Sequence, residues 1–404
     1  MNLYRKTAIT AAALLLGSSL LLAADDVLTL EKVLARARTQ APSIGSARAR
    51  IEEARARVRG ASLLRDNPVL DGAIGRRDDD LPANLEAGLS QTFELGGRRR
   101  ARVAAANAAL AREIALSEDT ARRVVREVAA TFFGAVDATE RVRLARLTEA
   151  NAAEIARIAQ RRHDQGDIPV LEVNVAQSAV ARARADAYAA DASRASAIGE
   201  LRVLLGLDPG TTVTVDGRLN ERADVPLEAL MAAAADRADV RALTAELAEA
   251  EADVRLGKSL AWPDVSPGVR YERDDGTRIL WGGLSVTLPF FNRGQEQRAV
   301  GTARAERLRG EIAALRRGVR NEVAAAWEAY GLRVKAADAL EATVTALDDN
   351  DVLARRSYEE GQIGLAELLL VRRETVEARA ALLQRQVEAG QARAELEAKA
   401  GVIR

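Results

Sequence analysis

Residues 84–93 read NLEAGLSQTF, and their side chains alternate between apolar and small or polar. One face carries Leu85, Ala87, Leu89, Gln91 and Phe93, and the other carries Glu86, Gly88, Ser90 and Thr92. The same alternation returns in the second half of the chain at Leu280, Gly282, Leu284, Val286 and Leu288. A period of two over about ten residues, apolar on one face, is typical of a strand in a membrane barrel. Two soluble hairpins that cap a helical bundle are the alternative.

A second short strand precedes each of these stretches, since Leu70, Gly72 and Ile74 correspond to Val265, Pro267 and Val269. Aromatic residues cluster in or beside the four segments, at Phe93, Trp262, Tyr271, Trp281, Phe290 and Phe291. This clustering favours an aromatic girdle at a membrane interface. The connecting loops at 77–80 and 273–276 are polar and are expected to face outward. Because four strands cannot close a barrel, several chains must share one barrel if these strands span lipid.

The strands belong to an internal repeat with an offset of 195 positions. The residues that match across this offset are Arg161 with Arg356, Gly166 with Gly361, Ile168 with Ile363, and Glu172 with Glu367. Further upstream the offset is 196, as from Val58 to Val254. Because the matches continue through Gly, Pro and strand segments, they indicate a duplicated domain rather than chance similarity between Ala/Arg-rich helices. We therefore divide the chain into a first repeat at 25–207, a linker at 208–225 and a second repeat at 226–404.

Each repeat reads as a helix, two strands, a long helix, a turn and a return helix. The helical segments of the first repeat are 29–62, broken at Pro42, then 97–163, and then a return helix from Pro169 to about Leu205. Those of the second repeat are 226–260, 292–357 and 365–400. At a rise of 1.5 Å per residue, each long helix reaches ~100 Å. The sequence thus predicts a mainly α protein with membrane β-strands, built from duplicated long α-hairpins.

The composition excludes several classes of function. The 59 Lys and Arg residues balance 59 Asp and Glu residues, whereas nucleic-acid binders usually carry a basic excess. The chain has no Cys and one His, His163, so thiolate nucleophiles and Cys/His zinc sites are excluded. No P-loop, nucleophile elbow or pair of metal ligands is present in the sequence. We expect no nucleic-acid partner, no catalytic residue, no resident metal and no cofactor.

The first 24 residues have the layout of an export signal. Arg5 and Lys6 precede an apolar stretch at 8–24 that ends in small residues, and Asp25 and Asp26 follow. This is the order of basic, apolar and cleavage regions in a secretory signal peptide. An N-terminal anchor helix is the alternative, although the stretch is only marginally long enough to span a bilayer.

These features together resemble the outer-membrane efflux protein (TolC-like) family. The resemblance rests on the signal, the tandem repeat, the two strands per repeat and the two long helices, and it covers nearly the whole chain. It implies a homotrimer in which four strands per chain form a shared twelve-stranded β-barrel. The barrel, in outer-membrane lipid, would continue into a trimeric α-helical tunnel in the periplasm. The implied partners are a periplasmic adaptor protein and an inner-membrane proton-driven pump, and the implied function is a passive exit channel.

Two motifs resemble the heavy-metal cation (CzcC-like) branch of that family. Residues 91–99, QTFELGGRR, resemble its strand-to-helix junction, and residues 288–295, LPFFNRGQ, resemble the corresponding motif of the second repeat. Gly294 stands where the branch usually has Asn, which is a departure. The branch implies divalent metal cations as substrates. A drug or polypeptide exit channel on the same fold, or a soluble periplasmic coiled-coil adaptor or scaffold, are the alternatives.

The junction motifs have a physical role in this interpretation. A strand that leaves lipid must end and continue into a helix, so Gly96, Gly97 and Pro289, with Asn292, are predicted to supply the unusual backbone. The arginines that follow are Arg98, Arg99, Arg100 and Arg102. They are expected either to pair with lipid phosphates or to form a solvated first helical turn.

The turns at the far ends of the long helices resemble the family's periplasmic tips, where the adaptor docks. The candidate docking residues are Gly166, Asp167, Ile168, Gly361, Gln362 and Ile363. By the resemblance, Glu367 falls where the family can place an acidic gate residue, with Glu172 as its repeat mate. Leu370 occupies the position at which a second acidic residue would be expected. For Glu367 a solvated helical carboxylate is the alternative, and for His163 an exposed turn histidine is preferred over a metal ligand.

Overall fold

The computed structural model describes residues 26–75, 84–217, 219, 226–274 and 276–402. In chain order its elements are β1 Asp26–Leu28, α1 Leu30–Gln40, α2 Pro42–Ala61, β2 Val69–Gly75, β3 Asn84–Ser90, β4 Phe93–Glu94, α3 Arg98–Asp164, α4 Val170–Leu205, β5 Val213–Val215, α5 Leu227–Ala235, α6 Ala238–Ser259, β6 Asp264–Asp274, β7 Thr277–Thr287, α7 Gln295–Glu359 and α8 Leu365–Ala400. The expected export signal at 1–24 and the loop at 77–80 lie outside the described residues.

Two long helical hairpins dominate the molecule, as the sequence predicts. α3 packs along α4, and α7 packs along α8. The 67 residues of α3 correspond to a helix of ~100 Å. Both return helices end at a left-handed glycine, Gly206 with φ 62° and Gly401 with φ 76°, a backbone conformation that costs glycine little.

Shorter helices flank the two hairpins. Pro42 begins α2 immediately after α1, because its ring fits the first turn of a helix but cannot continue the preceding one. α2 packs against α3, whereas α6 packs against both α3 and α7. The expected single helix at 226–260 is two helices, since Asp236 and Arg237 separate α5 from α6.

The four long strands form one antiparallel sheet in the order β2-β3-β6-β7. The strand predicted at 84–93 is interrupted, because β3 ends at Ser90 and β4 resumes pairing with β6 two residues later. At the interruption the Gln91 side-chain amide donates to the Asp66 carbonyl at 2.8 Å, and the hydroxyls of Thr92 and Ser266 lie 2.8 Å apart. The Gln91 backbone amide still donates to the Pro267 carbonyl of β6 at 3.1 Å, so these side-chain contacts accompany a remaining backbone bond at the interruption.

A small parallel pair of strands, which was not predicted from the sequence, lies away from this sheet. β1 pairs with β5 in the register Asp26 to Val213. The stretch marked as a linker at 208–225 therefore contains a strand. This pair joins a core of α1, α3, α4 and α8, in which Val128, Phe132 and Leu201 are fully buried. The pairing holds the start of the first repeat to the end of its return helix.

None of the helices in the described ranges combines the length and the apolar character that a bilayer crossing requires.

Candidate functional site

The four-stranded sheet has one apolar and one polar face. Residues directly opposite each other in an antiparallel pair lie on the same face, and the register aligns Leu70 with Leu89 and Leu89 with Val269. The apolar face is exposed to an unusual degree, with Leu70 at 78%, Ile74 at 80% and Leu280 at 76%. An exposed apolar band across four strands marks an interaction surface for lipid or protein.

The opposite face is polar and carries an ionic cluster. The Arg270 guanidinium on β6 lies 3.1 Å from the Glu86 carboxylate on β3 and 3.4 Å from the Asp71 carboxylate on β2. The same group stacks over the Trp281 ring of β7, 5.7 Å from the ring centroid. Glu272 lies directly opposite Glu86 in the register. One arginine thus contacts the three other strands and pairs with two carboxylates, and Glu272 adds a third carboxylate to the same face.

The aromatic residues divide between two places. Trp262, Phe290 and Phe291 are exposed beside the ends of β6 and β7 nearest the long helices, with Phe291 at 95%, which agrees with an interfacial belt. Trp281 differs from the expected girdle, because its register partner Arg270 places it on the polar face. Tyr271 lies in mid-strand opposite Leu280.

The first strand-to-helix junction turns through two left-handed glycines, Gly96 with φ 69° and Gly97 with φ 78°. A β-carbon on Gly96 would lie 2.5 Å from the Trp262 ring, so the indole covers the turn. Gly97 is the N-cap of α3. The turn therefore directs β4 into the long helix while staying packed against the second repeat.

The contacts of the arginines at this junction differ from those expected from the sequence. Arg98 is buried, and its guanidinium donates to Asp264 Oδ2 at 2.7 Å and to the Trp262 carbonyl at 2.5 Å. Arg99 donates to the Ser62 carbonyl, and Arg102 pairs with Glu94 at 2.7 Å. Only Arg100 among the four is exposed without such a described contact. The expectation of lipid or solvent contact is wrong for Arg98, because the neighbouring repeat supplies its acceptors.

The second junction depends on Gly294, which from the sequence was only a departure from the branch motif. β7 ends before Pro289, and the Asn292 side chain accepts from the Gly294 amide at 3.1 Å. Gly294 caps α7 with φ 73°, and a β-carbon there would lie 2.1 Å from the Gly257 carbonyl oxygen. Its position in the sequence, five residues after the strand-ending Pro289 and two after Asn292, was the available signal.

The two tips have matching backbone geometry. Gly166 has φ 83° and Gly361 has φ 76°. The amide after each glycine reaches back to a helix carbonyl, from Asp167 to Arg162 at 2.9 Å and from Gln362 to Ser357 at 2.8 Å. This is the hydrogen-bond pattern of a Schellman motif. Of the other candidate docking residues, Ile168 is buried and Ile363 is half-buried, so the exposed part of each tip is its glycine turn.

Contacts hold the two tips together within one chain. Arg162 of α3 donates to the Tyr358 carbonyl of α7 at 3.0 Å and stacks over its ring at 5.0 Å. Tyr358 is fully buried in a core that includes Ile158 and Leu368. Burial raises the pKa of the Tyr358 phenol, with Glu172 adding to the rise and Arg162 opposing it. This contact could not be predicted from local sequence patterns, because its partners are 196 positions apart.

Both gate candidates lie in the first turns of the return helices. Glu172 of α4 is half-buried, whereas Glu367 of α8 is exposed. The position of Leu370 is also exposed, at 53%. The His163 ring lies 2.9 Å from the Ile168 carbonyl oxygen, which gives this histidine a partner inside its own turn. Over the residues described, no group of three or more His, Asp or Glu side chains is arranged to hold a metal ion.

The family model that matches this chain is that of the outer membrane efflux protein, and it matches twice, over residues 33–207 and 229–402. Both matches lie inside the two repeats of the sequence analysis.

Two curated relatives illustrate the range of this similarity. The chain is 27% identical over 304 residues to the pyoverdine export outer membrane protein OpmQ of Pseudomonas aeruginosa, covering 66% of this chain and 62% of OpmQ. It is 27% identical over 293 residues to the cobalt-zinc-cadmium resistance protein CzcC of Cupriavidus metallidurans, covering 71% of this chain and 70% of CzcC. The match thus spans somewhat less than two thirds of OpmQ.

Solved structures show the same fold. The structure of CusC matches with a TM-score of 0.76 at 17% identity, covering 92% of this chain and 91% of CusC. The Campylobacter jejuni CmeC outer membrane channel matches with a TM-score of 0.76 at 17% identity, covering 92% of this chain and 85% of CmeC. The outer-membrane channel OprN matches with a TM-score of 0.74 at 20% identity, covering 92% of this chain and 89% of OprN.

Proposed function

The chain belongs to the outer membrane efflux protein family, which its sequence matches in two repeats, and on that premise we propose that it is the passive exit channel of a tripartite efflux pump. The observation that carries the proposal is the junction of an exposed apolar sheet face with helices of ~100 Å. Leu70, Ile74 and Leu280 lie on that face and are more than three quarters exposed. A surface of this kind suits the lipid of an outer membrane.

The proposed assembly is a homotrimer. Among the described strands, the outer sides of β2 and β7 have no paired neighbour, and four strands are too few to close a barrel. Three copies arranged edge to edge give twelve strands without an open edge. The helical hairpins then line a periplasmic tunnel that continues the barrel.

The proposed partners meet the channel at its tips. The glycine turns at Gly166 and Gly361 are exposed at the end of the hairpins, where a periplasmic adaptor can pack against them. In this proposal the inner-membrane proton-driven pump supplies the energy, and the channel performs no covalent chemistry.

We assign divalent heavy-metal cations as the first substrate class. Support comes from the similarity to CzcC and from the two junction motifs. It also comes from the polar sheet face, where Asp71, Glu86 and Glu272 lie on the same face as Arg270. An excess of carboxylates along a pore favours cations over anions. The similarity to OpmQ favours a second candidate substrate, a compound of the pyoverdine kind.

Fractionation and a growth assay test this function. We expect the protein in the outer-membrane fraction as a trimer that heating dissociates, and we expect a deletion strain to lose resistance to cobalt, zinc or cadmium. Resistance that is unchanged together with lost export of pyoverdine would favour the second candidate. A monomer in the periplasmic fraction would contradict the channel itself.

A further inference from the structure

The ends of α2 and α6 and the starts of α3 and α7 meet where the sheet joins the long helices. The Arg99 guanidinium of α3 donates to the Ser62 carbonyl at the end of α2 at 2.7 Å. The neighbouring Arg98 guanidinium donates to the Ser259 carbonyl at the end of α6 at 3.3 Å. Gly294, which caps α7, packs against the backbone of α6 in the same place. The four helix ends therefore lie at one level of the molecule, next to the sheet.

This level carries an excess of positive charge. Residues 59–66, 99–100, 255–258 and 293–296 expose seven cations and two carboxylates, although the whole chain has 59 basic and 59 acidic residues. The cations are Arg59, Arg65, Arg99, Arg100, Arg255, Lys258 and Arg293, and the carboxylates are Asp66 and Glu296. We call the seven cations the basic collar. Among the described residues, no carboxylate lies within ion-pair distance of any of them, so the charge of the collar is not neutralised there.

Large apolar side chains lie beside the basic collar. Leu63, which follows α2, is 65% exposed, and Trp262, Phe290 and Phe291 are also exposed. Aromatic side chains are enriched where the hydrocarbon of a bilayer meets its headgroups, and arginine and lysine extend their charges toward the headgroups there. A surface with both properties fits an amphiphile with an acidic headgroup better than a small anion, which offers nothing to the apolar side chains.

Helix stability does not account for the arginines at the start of α3. The first turn contains Arg98, Arg99 and Arg100 and no acidic residue. The positive end of a helix macrodipole lies at the N-terminus and disfavours cations there. Asp264 compensates the buried Arg98, but no described carboxylate compensates the exposed Arg99 and Arg100. An external anion beside these two residues would offset this cost.

We propose that the basic collar binds the headgroups of anionic phospholipids in the periplasmic leaflet of the outer membrane, with Leu63, Trp262, Phe290 and Phe291 among the adjoining acyl chains. Guanidinium and ammonium groups pair with phosphate oxygens, and cations near an anionic lipid surface add their attractions. A zwitterionic headgroup carries its own cation and therefore gains less. The inference rests on the proposed channel, whose helices extend into the periplasm, and adds the class of lipid that its sheet-to-helix boundary selects.

Lipid titration of the purified trimer tests the collar. Full-length protein is extracted into a neutral detergent, freed of lipid, and titrated with phosphatidylglycerol or phosphatidylcholine while native mass spectrometry counts the bound lipids. We expect the parent to prefer phosphatidylglycerol by at least about tenfold. The triple variant Arg65→Gln, Arg100→Gln and Lys258→Gln should lose most of this preference and remain a trimer, because these side chains make no described hydrogen bond or ion pair.

Matched variants separate charge at the collar from charge elsewhere on the helices. Arg126→Gln, Arg317→Gln and Arg320→Gln remove three exposed cations from α3 and α7, roughly 30–40 Å along the helices from the collar. Together they should leave the lipid preference unchanged. Arg65→Lys with Arg100→Lys keeps the charge and should bind lipid like the parent.

Equal affinity of the parent for both lipids, or an undiminished preference in the triple glutamine variant, would overturn the proposal. Displacement of phosphatidylglycerol by an equal concentration of inorganic phosphate would overturn it as well, because the collar would then recognise a free anion. Preference of the parent for isolated peptidoglycan over phosphatidylglycerol vesicles would assign a different occupant and reject the lipid. None of these results bears on the proposed channel, which a monomeric parent in the periplasm would contradict.

Discussion

Gly294 leaves less room for a β-carbon than any other glycine that the structure describes. A β-carbon there would lie 2.1 Å from the Gly257 carbonyl oxygen, and the residue has φ 73°. We expect Gly294→Ala to destabilise the protein by about 1–3 kcal/mol, since strain and a backbone clash add. Thermal unfolding followed by circular dichroism measures the change. Gly134→Ala, in the interior of α3 with open space around it, should be neutral or stabilising, and equal losses in both variants would contradict the assignment.

Glu367 is the residue through which we expect the exit to interact with cations. In a trimer, three exposed copies in the first turn of α8 would form a ring of like charges, and such rings favour cations. We predict that Glu367→Gln weakens cation selectivity and block by multivalent cations in single-channel recordings, without a change in trimer yield. Glu172→Gln is the control, because Glu172 is half-buried beside the Arg162–Tyr358 contact. Recordings of Glu367→Gln that match the parent would place the gate elsewhere.

Arginine substitutions on the two faces of β7 are expected to have different effects on assembly. Leu284 lies on the apolar face, and its neighbour Ser285 lies on the polar one. We expect Leu284→Arg to impair assembly, because an arginine facing lipid near the bilayer midplane costs ~2–4 kcal/mol per chain. Ser285→Arg should assemble and alter conductance. Trimer yield in the outer membrane measures both, and equal defects would mean that the faces are wrongly assigned.

The start of α6 carries a pH-sensitive contact outside the sheet. Burial alone would raise the pKa of Asp239, but paired hydrogen bonds from Arg237 at 2.6 and 2.9 Å, with its charge, outweigh burial and lower that pKa. A lowered pKa in the folded state contributes stability above the unfolded value, near 4, that is lost as pH falls through the folded value.

We therefore predict that Asp239→Asn lowers the free energy of unfolding by about 1–3 kcal/mol at pH 7 and flattens the loss of stability below about pH 4. Unfolding temperatures measured from pH 7 to pH 3 provide the test. Asp236→Asn is the matched control, because the Asp236 side chain is 83% exposed. If the unfolding temperature of Asp239→Asn falls as steeply below about pH 4 as that of the parent, the Arg237–Asp239 pair does not contribute to the pH dependence of stability.

Across the whole molecule, the features that could be predicted from sequence are those that depend on local patterns of residues. The long helices follow from proline-free periodic runs, the sheet faces follow from the alternation around Leu89 and Leu284, and the tip turns follow from Gly166 and Gly361. Features that depend on distant contacts were not predicted. Arg98 finds its acceptor at Asp264, 166 positions away, and no local pattern distinguishes it from the exposed Arg100.

Contacts between residues far apart in sequence also explain which parts of the candidate site could not be predicted. The positions of the tips and junctions follow from repeated motifs, but the Arg162–Tyr358 contact and the Arg270 cluster each join elements from both repeats. Trp281 could have been assigned to the polar face, because it alternates with Leu280 and Gly282.

The central claim is that three copies of this chain share one barrel and one helical tunnel. Electron cryo-microscopy of the full-length protein extracted from outer membranes tests it most directly. We predict a particle with a threefold axis, twelve strands around a pore, and Leu70 and Leu280 facing the detergent. A single chain, or an assembly in which another protein covers the apolar face of the sheet, would contradict it.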